Sequence, residues 1–299
     1  MIVTKNILLF NVHNHGFGDE TSCFGEKGGE WLVVWRQRIK FVPYISCSRM
    51  EKISATIITY NEAHRIEACL DSLDGVADEI VVVDSFSSDG TPELCRARGC
   101  KVTSRKFTGY GIQRQYATSL ASHRYVLAID ADEVLSPALR RSLIALKEKG
   151  PDHRVYNISR LNFFCGNPVH HCGWYPDPHI RLFDKRFANW NLSDVGERVE
   201  VPEGVEPALL EGDILHYRCT TVREFRATQN RHAAIASRSA RLTRPYGFLT
   251  PWLRGIARFL RCYVAEGGML DGAAGRAISR QHLNSTLLAY KLARRNRMR

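Results

Sequence analysis

From residue 53 onward the chain alternates short apolar runs with longer stretches of helical period. Ile53–Tyr60 is almost continuously apolar or β-branched, the composition of a strand buried on both faces. Ile66, Cys69, Leu70 and Leu73 then fall at i, i+3, i+4 and i+7, which predicts a helix. Glu79–Asp84 reads as a second strand. Ser87-Ser88-Asp89-Gly90 is a turn, and Thr91-Pro92 supplies a cap and an N1 proline for the next helix. Gly99–Thr103 is a third, shorter strand, and Gly109–Ser122 a glycine-led helix carrying Gln113, Arg114 and Gln115. Tyr125–Ile129 is a further buried strand that ends abruptly in Asp130-Ala131-Asp132-Glu133. Strands and helices joined by short links predict an α/β fold, a doubly wound, mostly parallel sheet with helices on both faces.

The second half continues the pattern less regularly. Ser136-Pro137 caps a helix with Leu139, Leu143, Ile144 and Leu146 on one face, ending at Gly150-Pro151. Arg154–Arg160 and His179–Asp184 read as strands, and a further strand ends at Ile214–Tyr217. Asn162–Asp177 is too irregular and aromatic for either element. Thr221 and Glu224 have the capping-box spacing of a helix reaching about Leu242. Phe248–Glu266 predicts an amphipathic helix with Arg254, Arg258 and Arg261 at i, i+4 and i+7. Residues 1–49 sustain neither period, so they are expected to be an extension with little fixed structure upstream of a functional start at Met50. A small accessory subdomain is the alternative. The expected organisation is therefore 1–49 extension, 50–220 catalytic domain and 221–299 basic helical region.

Charge sharpens this division. The net +11 is uneven: Thr221–Arg299 holds 16 Lys or Arg against 3 acids, a net of +13, which leaves −2 for the first 220 residues. A basic amphipathic helix with aromatics suits an anionic bilayer surface, here the inner membrane; a helix packed on the catalytic domain with a solvated arginine face is the alternative. No nucleic-acid motif accompanies the basic tail, so no nucleic-acid partner is expected. Nine cysteines without a C-x-x-C pair point to reduced thiols in a cytoplasmic compartment. No apolar run approaches the length of a membrane-spanning helix, and Ile7–Phe10 is too short for a signal peptide.

Chemistry concentrates where strands end. Thr59-Tyr60-Asn61-Glu62, Asp84-Ser85 and Asp130-Ala131-Asp132 each follow an apolar run. In open α/β sheets, ligands bind beyond the carboxyl ends of the strands. Acids as close as Asp130, Asp132 and Glu133 repel one another unless a cation shares them, and a divalent metal is the natural partner. Converging carboxylates and a metal suit a nucleotide, whereas no G-x-G-x-x-G or G-x-x-x-x-G-K-[ST] is present. An acidic surface loop is the other reading of a lone Asp-x-Asp. His170-His171-Cys172 lacks a second ligand pair and reads as loop wall rather than a zinc site. Trp174 and Tyr175 suit stacking on a sugar acceptor, or else core packing.

T-Y-N-E at 59–62, V-V-V-D-S at 81–85, G-Y-G-I-Q-R-Q at 109–115 and I-D-A-D-E at 129–133 together resemble the family 2 inverting glycosyltransferases of the GT-A fold. The resemblance implies a nucleotide-sugar donor, usually a UDP-sugar, and a divalent metal, Mg²⁺ or Mn²⁺. By that analogy Thr59, Tyr60, Glu62 and Asp84 hold the nucleoside, with Asn61 in the same motif. Asp130 faces the ribose, Asp132 binds the metal and Arg114 lies near the donor. Gln115 stands where asparagine is usual. C-G-W-Y-P-D at 172–177, R-L-F at 181–183 and V-G-E at 195–197 are similar to the bacterial subgroup that builds the lipopolysaccharide core, with Gly196 replacing its usual histidine. This implies Glu197 as general base, Asp177 as its runner-up and His216 as a further metal or diphosphate ligand. The expected reaction moves a hexose, glucose from UDP-glucose, to a lipopolysaccharide-core or other lipid-linked acceptor at the membrane's cytoplasmic surface. Two alternatives stand beside it. D-A-D-E-V-L also matches the start of haloacid-dehalogenase-like phosphoryl-transfer enzymes, though that motif normally sits on the first strand, and here two nucleotide-like strands precede it. The other is a non-enzymatic basic membrane or nucleic-acid binder.

Overall fold

The computed structural model describes residues 23–27, 30–35, 38–42, 50–192, 196–239 and 246–297, and the chain divides into two units, Met1–Arg49 and Met50–Arg299. In the first unit β1 (Cys23–Lys27), β2 (Glu30–Trp35) and β3 (Arg38–Val42) pair in order as an antiparallel meander. The rest of the expected extension lies outside the described residues.

The second unit opens with the predicted parallel strands. β4 (Ile53–Thr59), β5 (Glu79–Asp84), β6 (Lys101–Ser104) and β7 (Tyr125–Asp130) lie in the order β6-β5-β4-β7. Their crossovers contain α1 (Ile66–Ser72), α2 (Thr91–Ala97) and α3 (Tyr110–Leu120). β7 shows why the apolar runs are unbroken. Tyr125, Leu127 and Ile129 pack with Ile57, Ile66 and Leu70, while Val126 and Ala128 face Phe183 and Trp190 on the opposite side. A strand buried on both faces needs apolar residues at every position. Register places Thr59 opposite Asp84 and Ile58 opposite Asp130, so the polar strand ends finish in one row.

The sheet continues through β8 (Glu133–Leu135), β9 (Val155–Phe164), β10 (Asn167–Pro168), β11 (Pro178–Asp184) and β14 (Ala208–Cys219), in the order β7-β11-β9-β14-β8 with β10 on β9. β11 is antiparallel to both neighbours, and β14 is parallel to β9. β12 (Asn189–Trp190) and β13 (Val199–Glu200) form a separate ribbon. Only Ala131 and Asp132 separate β7 from β8, although three strands stand between them in the sheet. Three Cα steps reach about 11 Å at most, so the sheet must curl to bring its far edge back beside β7. α4 (Pro137–Lys149) starts as expected, with Ser136 Oγ accepting from Leu139 N at 3.2 Å.

Among the described residues, three α-helices follow. α5 (Val222–Ala236) is capped by Thr221, whose Oγ1 accepts from Glu224 N at 3.2 Å; the continuation expected to Leu242 falls partly on residues outside the description. α6 (Thr250–Leu260) passes into a π-helical turn at Arg261–Ala265, and α7 (Gly272–Arg297) runs 26 residues. Phe164, Phe225, Cys262, Ala274 and Ile278 form the core that fixes these helices to the ends of β9 and β14. Gly255 permits the α6–α7 crossing, because a Cβ there would lie 2.6 Å from Leu283 Cδ1.

Glu79 ties β5 to its neighbours, accepting from Ser54 Oγ, Lys101 Nζ and the Ser122 N and Oγ, the last two at 2.7 Å. Burial pushes this carboxyl up, but the hydrogen bonds outweigh it and hold it at about 2. A depressed carboxyl contributes stability above its unfolded pKa and loses it as pH falls through the folded one. Glu79→Gln should therefore destabilise the fold by about 1–3 kcal/mol near neutral pH in urea denaturation. The gap should close as pH falls from 4.5 toward 2; an undiminished gap at the acid end would contradict this assignment.

Candidate active site

The row of strand ends opens into a cavity of about 750 Å³. Of the residues singled out in the sequence, Thr59, Tyr60, Glu62, Arg114, Asp130, Asp132, Glu197 and His216 line it. Asn61 and Asp84 stand just behind the wall and shape it. Asp84 accepts from Ser87 N at 2.9 Å and from Ser87 Oγ at 2.5 Å, and Ser87 Oγ accepts from Asn61 N at 2.8 Å. Asn61, in the left-handed region at φ 56°, accepts from Ser88 N through Oδ1 at 2.8 Å. These bonds lock the loop after β4 to the loop after β5. Within that wall, Thr59 Oγ1 and Glu62 Oε2 are buried without a hydrogen-bond partner, Glu62 Oε2 lying 3.5 Å from the Arg65 guanidinium, so Thr59 Oγ1 is the oxygen left without any partner. Burial, helped by the Asp132 charge, pushes the Glu62 carboxyl up.

A charge cluster underlies the cavity floor. Arg114 reaches from α3 to within 2.6 Å of Asp130 Oδ1 and 3.8 Å of Glu197 Oε1, with its guanidinium 4.8 Å from the Trp190 ring centre. Glu133 is fully buried. It accepts from Asp130 N at 2.8 Å and from Arg181 at 2.7 Å, and Arg181 also lies 3.7 Å from Asp130. Burial alone would raise the Asp130 carboxyl, but Arg114 and Arg181 overcome it and hold it well below the usual carboxylate range. Burial pushes Glu133 up against the pull of Arg181. Two arginines thus already hold Asp130, whereas Asp132, two residues on, faces the opposite strand.

There Asp132 Oδ2 lies 3.3 Å from His216 Nε2. The β14–β8 register pairs His216 with Glu133, and Tyr217 N donates to Asp132 O at 3.1 Å, so backbone pairing fixes this approach. His216 Nδ1 is 2.7 Å from Asn162 Oδ1, while Asn162 Nδ2 donates to the Trp174 carbonyl. That network assigns a proton to Nδ1, and in the neutral ring of that tautomer the Nε2 lone pair faces Asp132. Two acceptors facing each other suit a shared cation. No group of three or more His, Cys, Asp or Glu suited to a metal exists among the described residues. A hard divalent ion held by few protein ligands completes its shell with water and phosphate oxygens, and this donor set fits that mode.

Arg218, two positions after His216 on β14, also lines the cavity. It is half-buried with its guanidinium 5.2 Å from the Trp174 ring centre, and no carboxylate pairs with it among the described residues. Sequence reading missed it, although i, i+2 spacing along a strand puts it on the same face as His216. Arg160 and Arg181 are legible in the sequence only as parts of strands or motifs, and Glu133, expected to share a cation with Asp130 and Asp132, is instead paired with Arg181.

The two base candidates differ sharply in setting. Asp177 is bound by Arg160 at 2.7 and 3.0 Å and by His179 at 2.8 Å; burial raises its carboxyl, but His179 and Arg160 hold it well below the usual range. It lines neither this cavity nor its neighbour. Glu197 lines both, the second being a space of about 440 Å³ walled also by Asn157, His179, Trp190 and Arg198. Trp174 and Tyr175 line neither cavity. Trp174 packs on Phe225 with ring centres 5.8 Å apart, and Tyr175 donates to Asp213 at 3.1 Å, so their neighbours are structural.

Residues 54–193 match the family model described as Glycosyl transferase family 2. An uncharacterized glycosyltransferase of Rickettsia typhi is 34% identical over 192 residues, covering 59% of this chain and 63% of that protein. The chain therefore spans less than two thirds of that relative's length. The lipopolysaccharide core biosynthesis glycosyltransferase LpsC of Rhizobium meliloti is 29% identical over 238 residues, covering 75% of this chain and 84% of LpsC. Among solved structures, S. aureus TarS 1–349 in complex with UDP is similar at 13% identity and a TM-score of 0.40, covering 83% of this chain and 91% of that one.

Arg181→Met should leave Glu133 and Asp130 short of a buried counter-charge and destabilise the protein by about 3–5 kcal/mol in urea denaturation. A loss below about 1 kcal/mol would show that the cluster does not carry these charges.

Proposed function

We propose, from the match of residues 54–193 to the glycosyl transferase family 2 model, that the chain is an inverting, metal-dependent hexosyltransferase using a nucleotide-sugar. The observation that carries this reading is the Asp132–His216 pair, 3.3 Å apart in the cavity that also presents Thr59 Oγ1 and Glu62 Oε2. Thr59 and Glu62 accept hydrogen bonds from the nucleoside. Asp132 and His216 would hold Mg²⁺ or Mn²⁺, which would supply charge neutralisation to the diphosphate. Arg218, without a carboxylate partner, faces the same anion. Asp130 orients Arg114 and is too firmly paired to bind the metal itself or to serve as the free nucleophile of a phosphoryl-transfer enzyme.

Glu197 is the general base. It stands between the donor cavity and the 440 Å³ space, which takes the acceptor. The acceptor hydroxyl gives its proton to the Glu197 carboxylate as its oxygen bonds to the anomeric carbon. The carbon–oxygen bond to the diphosphate breaks on the opposite face, and its electron pair leaves on the diphosphate. Asp177, held by Arg160 and His179, is a poorer base. The motif resemblance favours UDP-glucose as donor, and the likeness to LpsC favours a lipopolysaccharide-core or other lipid-linked acceptor.

Access to such an acceptor comes from α6. Trp252, Leu253, Ile256 and Leu260 are exposed along it, and Phe248 and Leu249 precede it, also exposed. Of the expected basic stripe, Arg254 instead donates to Tyr290 and Arg261 pairs with Glu266 at 2.8 Å. The outer face is therefore apolar first and basic second, suited to insertion at a bilayer surface. No helix among the described residues is long and apolar enough to cross a membrane.

UDP-glucose with Mn²⁺ should raise the melting temperature by several degrees, and Asp132→Ala should abolish that shift. Glu197→Gln should lower kcat roughly 100- to 10,000-fold while leaving the shift intact; a smaller loss than after Asp177→Asn would transfer the base role to Asp177. For the membrane reading, cosedimentation with vesicles containing phosphatidylglycerol should fall at least about five-fold in Trp252→Ser/Leu253→Ser, as expected from the lost apolar burial. Unchanged sedimentation would remove α6 from the interface.

A further inference from the structure

The C-terminal helices enclose a second large cavity, about 980 Å³, between α5, α6 with its π-helical turn, and α7. That volume lies at the upper end for small-molecule sites. Arg226 from α5 and Arg276 and Arg280 from α7 line it, and no Asp or Glu does among the described residues. None of the three guanidiniums has a salt-bridge or hydrogen-bond partner among the described residues. Arg276 and Arg280, at i and i+4, repel each other across one helix face. Gln281, only 6% exposed, lines the same space, and its side-chain amide, open to the cavity rather than sealed off, bonds to no other described residue. Opposite stand Phe259 and Tyr263, stacked with ring centres 5.4 Å apart and planes at 27°.

Three arginines without a carboxylate partner, an amide open to the cavity and an aromatic wall are the complement of an anion carried on a less polar group. We propose that this cavity binds a phosphate-bearing ligand. The guanidiniums fork onto phosphate oxygens, Gln281 donates its amide hydrogens, and the Phe259–Tyr263 pair packs against the group that carries the phosphate. The site is separate from the strand-end cavity and needs no sugar transfer to be detected. Phosphate of this kind comes either from a phospholipid headgroup at the bilayer that α6 faces or from a soluble phosphate ester.

Two probes separate these sources in the full chain: inorganic phosphate by calorimetry, and phosphatidic acid in phosphatidylcholine vesicles by cosedimentation. Arg276→Gln/Arg280→Gln and, separately, Gln281→Leu should each remove one class of site, weakening at least one probe about ten-fold or more. The circular dichroism spectrum should be retained, since both arginines are exposed. Loss of inorganic phosphate binding identifies a soluble ester, and loss confined to vesicles identifies a headgroup; either supports the proposal. It is overturned if wild type and double variant bind both probes equally, or if the wild-type protein binds neither.

Discussion

The strand ends depend on one buried charge cluster. Glu133 cannot face water, so its carboxylate takes the Asp130 amide and the Arg181 guanidinium, and Asp130 in turn draws Arg114 out of α3. These contacts fix the two-residue reversal at Ala131–Asp132 through which the sheet curls back on itself. The same reversal brings Asp132 against His216. Removing one member of such a cluster leaves the others buried without a partner, which makes the geometry all-or-none rather than adjustable.

This arrangement divides labour among acids that look equivalent along the chain. Asp130 is an anchor, Glu133 a buried tie, Asp132 the oxygen donor facing the cavity, and Glu197 the acid between two spaces. Asp177, an equal candidate by residue type, is neutralised by Arg160 and His179. Environment, not identity, separates the roles.

The parallel half of the sheet was legible because its strands are buried on both faces and write uninterrupted apolar runs. β5 is found at the expected Glu79–Asp84, and the Ser136 cap opens α4. Where the sheet turns mixed, legibility falls: β8 is three residues long and hidden inside an acidic motif, and β9 extends to Phe164 inside a stretch that reads as irregular. α7 lies within the 221–299 region expected to be helical, but its bounds are not legible, because it packs through small residues such as Ala274 and Gly275 rather than a stripe of large apolar ones. At the site, motif spacing located Asp132 and His216 but was silent on their partners. Arg181 and Arg218 lie on strands whose pairing brings them in from more than 45 positions away. The Trp174-Tyr175 pair carries a sugar-stacking signal, and in the structure Trp174 packs against Phe225 and Arg218 while Tyr175 bonds to Asp213. Aromatic composition alone does not distinguish a wall from a core.

The central claim is that Asp132 and His216 share one cation with a nucleotide diphosphate. Electron spin-echo envelope modulation of Mn²⁺ bound together with UDP tests it most directly, because it detects a nitrogen ligand on the ion. The account predicts imidazole nitrogen modulation in the wild-type complex and its loss in His216→Ala. Bound Mn²⁺ without nitrogen modulation, or modulation that persists in the variant, would contradict it.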